Sequence, residues 1–122
     1  MTSILQARDE LGTALAVVMA VADVPGQAAP PCAVIFGEGA GDLEHIGRGQ
    51  LTARFRITVM SGGWDLEASG RVLTGLVQSA IGVVLALPSW RLDAIRRDTT
   101  IDIAGGRMLG ADVIASRMVD IS

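Results

Sequence analysis

Leu51-Thr52-Ala53-Arg54-Phe55-Arg56-Ile57-Thr58-Val59-Met60 is the stretch on which the reading of this chain turns. Ala53, Phe55, Ile57 and Val59 fall on one face of an extended chain. Thr52, Arg54, Arg56 and Thr58 fall on the other. A period of two is the pattern of a strand with one face on a core and one face away from it. Such a strand needs apolar cover, and the flanking sequence offers it on both sides.

Downstream, Gly62-Gly63 ends the strand and the period changes. Asp65–Leu87 is predicted to be a long helix, with Asp65 as N-cap and Glu67 adding negative charge to the first turn. Leu73, Leu76, Val77, Ala80, Ile81 and Val84 make an apolar stripe at helical spacing, and Pro88 stops it. Gly70, Gly75 and Gly82 weaken that helix by about 1 kcal/mol each relative to Ala. Their presence leads us to expect close packing against a sheet. Upstream, Cys32–Phe36 is a short apolar run, as in a strand buried on both faces. Residues 37–50 between the two strands are glycine-rich and carry Glu38, Asp42, Glu44, His45 and Arg48. They read as a long hairpin loop, and loops of that length in a compact domain often carry function.

Further upstream, Ser3–Val24 reads as a helix capped by Ser3, with Leu11, Leu15, Val18, Val21 and Ala22 at helical spacing. Pro25-Gly26 stops it, and Gln27–Pro31 is a linker. After Pro88, Arg91–Arg97 is a strand or a connection into one, and Thr99–Ala104 is a strand. Gly105-Gly106 gives a hairpin turn, and Arg107–Ile121 returns with a kink or bulge at Gly110. Val113, Ala115, Val119 and Ile121 share a face with Arg117. The expected architecture is one α+β domain spanning residues 1–122, in the order α-β-β-α-β-β. Both helices pack on one face of a mostly antiparallel sheet.

Composition narrows the function classes. Half the residues are hydrophobic and 19% are charged, which excludes intrinsic disorder. Aromatic content is 3%, with 15 glycines, so burial against other copies would add stability that the core supplies sparingly. All ten positive charges are Arg, scattered through a chain of net charge −3, a poor footprint for nucleic acid. Cys32 is the only cysteine and reads as a small buried hydrophobe. The apolar run Ala14–Ala22 follows Arg8, Asp9 and Glu10 rather than the positive start of a signal peptide. Gly75–Leu87 falls short of the roughly 20 residues a spanning helix needs. A soluble chain made in the cytoplasm is expected, with no membrane partner.

Catalytic and metal signatures are missing from the sequence. Gly37-Glu38-Gly39-Ala40-Gly41-Asp42 lacks the third glycine of a dinucleotide fingerprint, and no Gly-x-Ser-x-Gly elbow occurs. His45 is the only histidine, too few for the common His-based metal sites. We expect no enzyme activity, no cofactor and no metal. Arg54 and Arg56 stand out instead, because both project from one strand face roughly 7 Å apart. They read either as a solvated outer face or as an interface, where the planar guanidinium binds carboxylate in bidentate fashion. In the interface reading Arg54 and Arg56 act with Asp42, Glu44, His45 and Arg48 of the loop in contacts to neighbouring subunits. Asp42 and Glu44 are the carboxylate acceptors for an Arg on the next copy.

The succession of an N-terminal helix and a hairpin with a long loop continues through Arg54-Phe55-Arg56-Ile57-Thr58-Val59 and a long helix ending in Leu87-Pro88-Ser89-Trp90. A terminal hairpin through Gly105-Gly106 closes the plan. This plan resembles the tail terminator proteins of phages with long non-contractile tails, over nearly the whole chain. The resemblance implies a homohexameric ring in the virion, assembled in the host cytoplasm. That ring sits on the last ring of the major tail tube protein, halts tube polymerisation and offers a surface to the head completion or connector protein. Another head-to-tail joining or neck protein, or a small cytosolic ligand-binding domain with an apolar pocket, are the alternatives.

Overall fold

The strand Gln50–Met60, β4, is the hub of a single sheet in the computed structural model, which describes residues 3–22, 32–36, 43–47, 49–61, 68–103 and 106–120. Along one edge β4 pairs antiparallel with β6 (Gly106–Asp120), from Gln50↔Asp120 to Met60↔Gly110. Along the other it pairs first with β3 (Leu43–Gly47) and then with β2 (Cys32–Phe36). β5 (Arg91–Ile103) lies outside β6, and the two-residue β1 (Val21–Ala22) runs parallel to β2. Among the described residues the order is β1-β2-β4-β6-β5, with β3 beside β4. The helices are α1 (Ile4–Ala16) and α2 (Ala68–Ala86).

The alternation in β4 sorts its side chains as its sequence dictates. Ala53, Phe55, Ile57 and Val59 are buried. They share one apolar cluster with Val113, Ala115 and Val119 of β6, with Ala7, Leu11 and Leu15 of α1, and with Leu73, Val77, Ala80 and Val84 of α2. Both helices therefore cover the same face of the sheet, giving the α+β arrangement. Burying each large aliphatic side chain is worth about 1.5–3 kcal/mol, so this stripe-on-sheet contact is the main stabilising feature. The Trp90 ring tilts against Phe55 at 5.6 Å between centroids.

Ser3 and Gln6 form a reciprocal capping box at the start of α1. The Ser3 hydroxyl accepts from the Gln6 N–H at 3.1 Å, and the Gln6 Oε1 accepts from the Ser3 N–H at 2.9 Å. Farther along, Glu10 ties α1 to the rest of the domain. Its Oε1 accepts both the Trp90 Nε1–H and the Arg117 guanidinium, the latter at 3.0 Å. Arg117 stands on the helix-covered side of β6, in line with Val113, Ala115 and Val119. Arg8 on the same helix donates to the Ile35 carbonyl at 3.1 Å.

The structure departs from the sequence reading at several places. α1 ends at Ala16 rather than Val24, because Val21 and Ala22 leave the helix to pair with Ala33 and Val34. Residues 37–50 contain β3, so the expected loop is partly a strand and the order has two strands more than α-β-β-α-β-β. Arg91–Ile103 is one strand carrying two register shifts, at Leu92/Ala94 and Arg96/Thr99. The irregularity expected at Gly110 falls on β5 opposite it. Ile103 pairs with Gly106, so Gly106 belongs to β6 and not to the turn. The glycines of α2 do not approach the sheet: a Cβ on Gly70, Gly75 or Gly82 would meet nothing within 4 Å. Pro25-Gly26, the linker through Pro31, Gly62-Gly63, Asp65 and Glu67 lie outside the described residues.

Candidate functional site

The second face of the sheet carries the polar half of the β4 alternation. Register places three adjacent rows across β4, β6 and β5: Arg54–Ser116–Arg91, Arg56–Ile114–Ala94, and Thr58–Asp112–Arg96. Phe36 of β2 extends the middle row next to Arg56. The row centres on β6 are buried: Ser116 at 1%, Ile114 and Asp112 at 8% exposure. Exposed guanidinium-bearing residues flank that floor.

Asp93 organises the first row. It is the extra residue at the β5 register shift between Leu92 and Ala94. Its carboxylate is only 16% exposed. Arg54 Nε reaches one oxygen at 3.4 Å, and Arg91 Nε reaches the other at 2.9 Å. A second Arg91 nitrogen donates to the Ser116 hydroxyl at 3.5 Å. Burial pushes the Asp93 carboxyl up; hydrogen bonds from Ser116 and Arg91, the Arg91 charge and the Arg54 hydrogen bond outweigh it. The net effect holds the group below its ordinary value of 3.8. In the middle row the Arg56 guanidinium stacks over the Phe36 ring, 4.6 Å from its centroid. In the third row the Thr58 hydroxyl donates to Asp112 Oδ1 at 2.7 Å, a buried pair. Arg96 stands opposite Asp112 in register and is exposed. Neither Arg56 nor Arg96 has an ion pair with a carboxylate among the described residues.

The structure thus brings Arg54 and Arg56 together on one face. It supplies Arg54 with a carboxylate from its own chain, Asp93, where the sequence reading looked to Asp42 or Glu44 of another copy. Glu44 and His45 lie in β3, paired with Thr52 and Leu51; their side chains are outside the description, as are Asp42 and Arg48 altogether. Asp93, Arg91, Ser116 and Arg96 were not singled out from the sequence. The signal for Arg91 and Arg96 was present as charge on a candidate strand, but it needed the placement of β6 between β4 and β5. Cys32 is buried at 1%, packed with Val34 and Met60.

Elsewhere, an open cleft of about 530 Å³ lies between α1 and the β1–β2 edge, lined by Arg8, Asp9, Gly12, Thr13, Val21 and Ile35 among others. Among the described residues no group of three or more His, Cys, Asp or Glu could hold a metal ion. No helix among them is long and apolar enough to cross a membrane. Fold and site together define an α+β domain with one helix-covered sheet face and one arginine-bearing sheet face. Comparison with known proteins finds no matching family model and no matching curated protein.

Proposed function

We propose that the protein is a structural tail terminator of a phage with a long non-contractile tail. It forms a homohexameric ring on the end of the tail tube, stops tube polymerisation and presents a surface for head attachment. The reading rests on the plan of the domain, and one observation carries it. The β5–β6 hairpin runs past the end of β4: the pairs Thr100↔Leu109 to Ile103↔Gly106 lie beyond Met60↔Gly110, the last β4–β6 pair. Over that length no third strand pairs with the hairpin among the described residues. A two-stranded ribbon is marginal on its own in water, so an arm of this kind suits a protein whose fold is completed by its assembly partners. The chemistry is steric and interfacial, and no residue acts as a catalyst.

Deletion of the gene from its phage tests the reading. Overlong tails without heads, restored to normal length by the wild-type protein, are the expected result. Tails of normal length that fail to join heads would make the protein a neck component instead. Normal virions would remove it from tail assembly altogether.

A further inference from the structure

At the end of β6 away from the hairpin arm, the sheet leaves a corner. β5 begins at Arg91, opposite Ser116, while β6 runs on through Arg117 and Met118 beside β4. A small cavity of about 230 Å³ occupies that corner. Thr52 of β4, Ser116, Arg117 and Met118 of β6, and Arg91 with the preceding Ser89 line it. Among the described residues its polar lining is therefore two guanidiniums and three hydroxyls, with no carboxylate.

Both guanidiniums are held from behind. Glu10 accepts from Arg117 Nη1 at 3.0 Å, and the Met118 carbonyl accepts from Arg117 Nε at 3.0 Å. The Arg117 side chain is only 12% exposed, so its position is fixed. Asp93 accepts from Arg91 Nε at 2.9 Å, and Ser116 accepts from Arg91 Nη2 at 3.5 Å. Arg117 Nη2 and Arg91 Nη1 are left without a partner among the described residues. The hydroxyls of Thr52 and Ser89 make no hydrogen bond among them either. Four uncommitted donor groups thus line one cavity, supplied by β4, β6 and the start of β5. Arg54, Arg91 and Arg117 set against Asp93 and Glu10 leave a formal surplus of one positive charge. An anion seated in the corner would cancel that surplus and meet donors already held in place.

We propose that this corner binds a small tetrahedral oxyanion, a phosphate group, through Arg91, Arg117, Thr52 and Ser89. The guanidinium fork matches phosphate oxygens, and the hydroxyls supply further donors from other walls of the cavity. A carboxylate offers two oxygens in one plane, whereas a phosphate group offers three strong acceptor oxygens that can meet donors from several sides. The proposal stands independently of the ring, since the corner is complete within one copy of the chain.

The test is isothermal titration of the full-length chain with inorganic phosphate at neutral pH, the ionic strength held constant with sodium chloride. Titration is chosen over melting because phosphate also stabilises folded proteins by exclusion from their surface. Saturable binding at about 1 mM or tighter is the expected result. Thr52→Val with Ser89→Ala leaves both ion-paired clusters intact and should weaken binding by about tenfold or more, as should Arg91→Gln. Circular dichroism establishes that each variant is folded; if Arg91→Gln is not, the hydroxyl pair carries the test. Glycerol phosphate separates the two sources of the group: tighter binding than inorganic phosphate assigns the corner to a phosphate monoester, and weaker binding assigns it to the free ion. Heat that does not saturate, an affinity unchanged in the hydroxyl variant, or acetate bound as tightly as phosphate overturns the proposal.

Discussion

Replacing Gly75 and Gly82 with Ala should stabilise the folded chain. Both lie inside α2 on the side turned from the sheet, and the added methyl groups would meet nothing within 4 Å. The cost of a helical glycine is therefore present with no packing return inside the monomer. Each exchange is worth about 0.5–1 kcal/mol, mostly through the reduced freedom of the unfolded chain. The two sites are two helical turns apart, roughly 10 Å, so their effects should add to about 1–2 kcal/mol. In urea this moves the midpoint up by about 0.5–1 M at unchanged slope. In a thermal scan it appears as a rise of roughly 4–8 °C. Gly49→Ala serves as the opposing control. Gly49 sits at φ 74 beside β4, where a side chain is strained, and the exchange should cost about 1 kcal/mol or more. Association state must be held fixed across the set, because self-association adds apparent stability by mass action. An unchanged or lowered midpoint for the α2 double variant would refute the reasoning. It would mean that the two glycines serve a close approach made by the folded protein in solution.

Three further outcomes follow from the geometry. Glu10→Ala should cost about 2–3 kcal/mol in denaturant unfolding, because it strands a largely buried guanidinium on Arg117 and removes the acceptor of the Trp90 indole N–H. Glu10→Gln, which still accepts from Trp90, should cost less, and a double-mutant cycle with Arg117→Met isolates the ionic part. Asp93 is held below its unfolded value of 3.8, so its contribution is complete above about pH 5 and is lost as pH falls through the folded value. Wild-type stability should therefore drop more steeply than that of Asp93→Asn as pH falls below about 4; parallel curves would remove the Arg54–Asp93–Arg91 cluster from the stability of the fold. Phe55→Ala, which empties the centre of the helix–sheet contact against Trp90, should cost about 3–5 kcal/mol by equilibrium unfolding.

What the sequence disclosed depended on how local the deciding interactions are. The period of two in residues 51–60 and the stripe from Leu73 to Val84 are local patterns, and both were legible. Ser3 was also readable as the cap of α1. The end of that helix was not: the apolar run through Ala22 continues without a stop, and only pairing with Ala33 and Val34 pulls Val21 and Ala22 into a strand. β3 hid among glycines because its pairing with β4, rather than its own residues, makes it a strand. β5 was split in the reading because its two register shifts interrupt the alternation. The same distance rule governs the site. Arg54 and Arg56 announce themselves by spacing, whereas the carboxylate that holds Arg54 lies 39 residues away on a strand beyond β6.

The position of β6 has a consequence for how the protein comes into being. It follows every other strand among the described residues, yet it occupies an inner place in the sheet, between β4 and β5. A ribosome delivers β4 well before the strand that joins it to β5, whereas β5 ends at Ile103, just ahead of Gly106 where β6 starts. Until residues 106–120 emerge, both present unpaired backbone along a full edge. The closing pairs then join Gln50 to Asp120 and Met60 to Gly110, seventy and fifty residues apart in sequence. Loop closure of that span precedes any return from the contacts it creates, which places folding in the slow, milliseconds-to-seconds regime of non-locally paired sheets. During that interval the nascent chain is open to pairing with a neighbour's edge, so its yield in the cell should depend on expression rate and temperature before it depends on the stability of the finished fold.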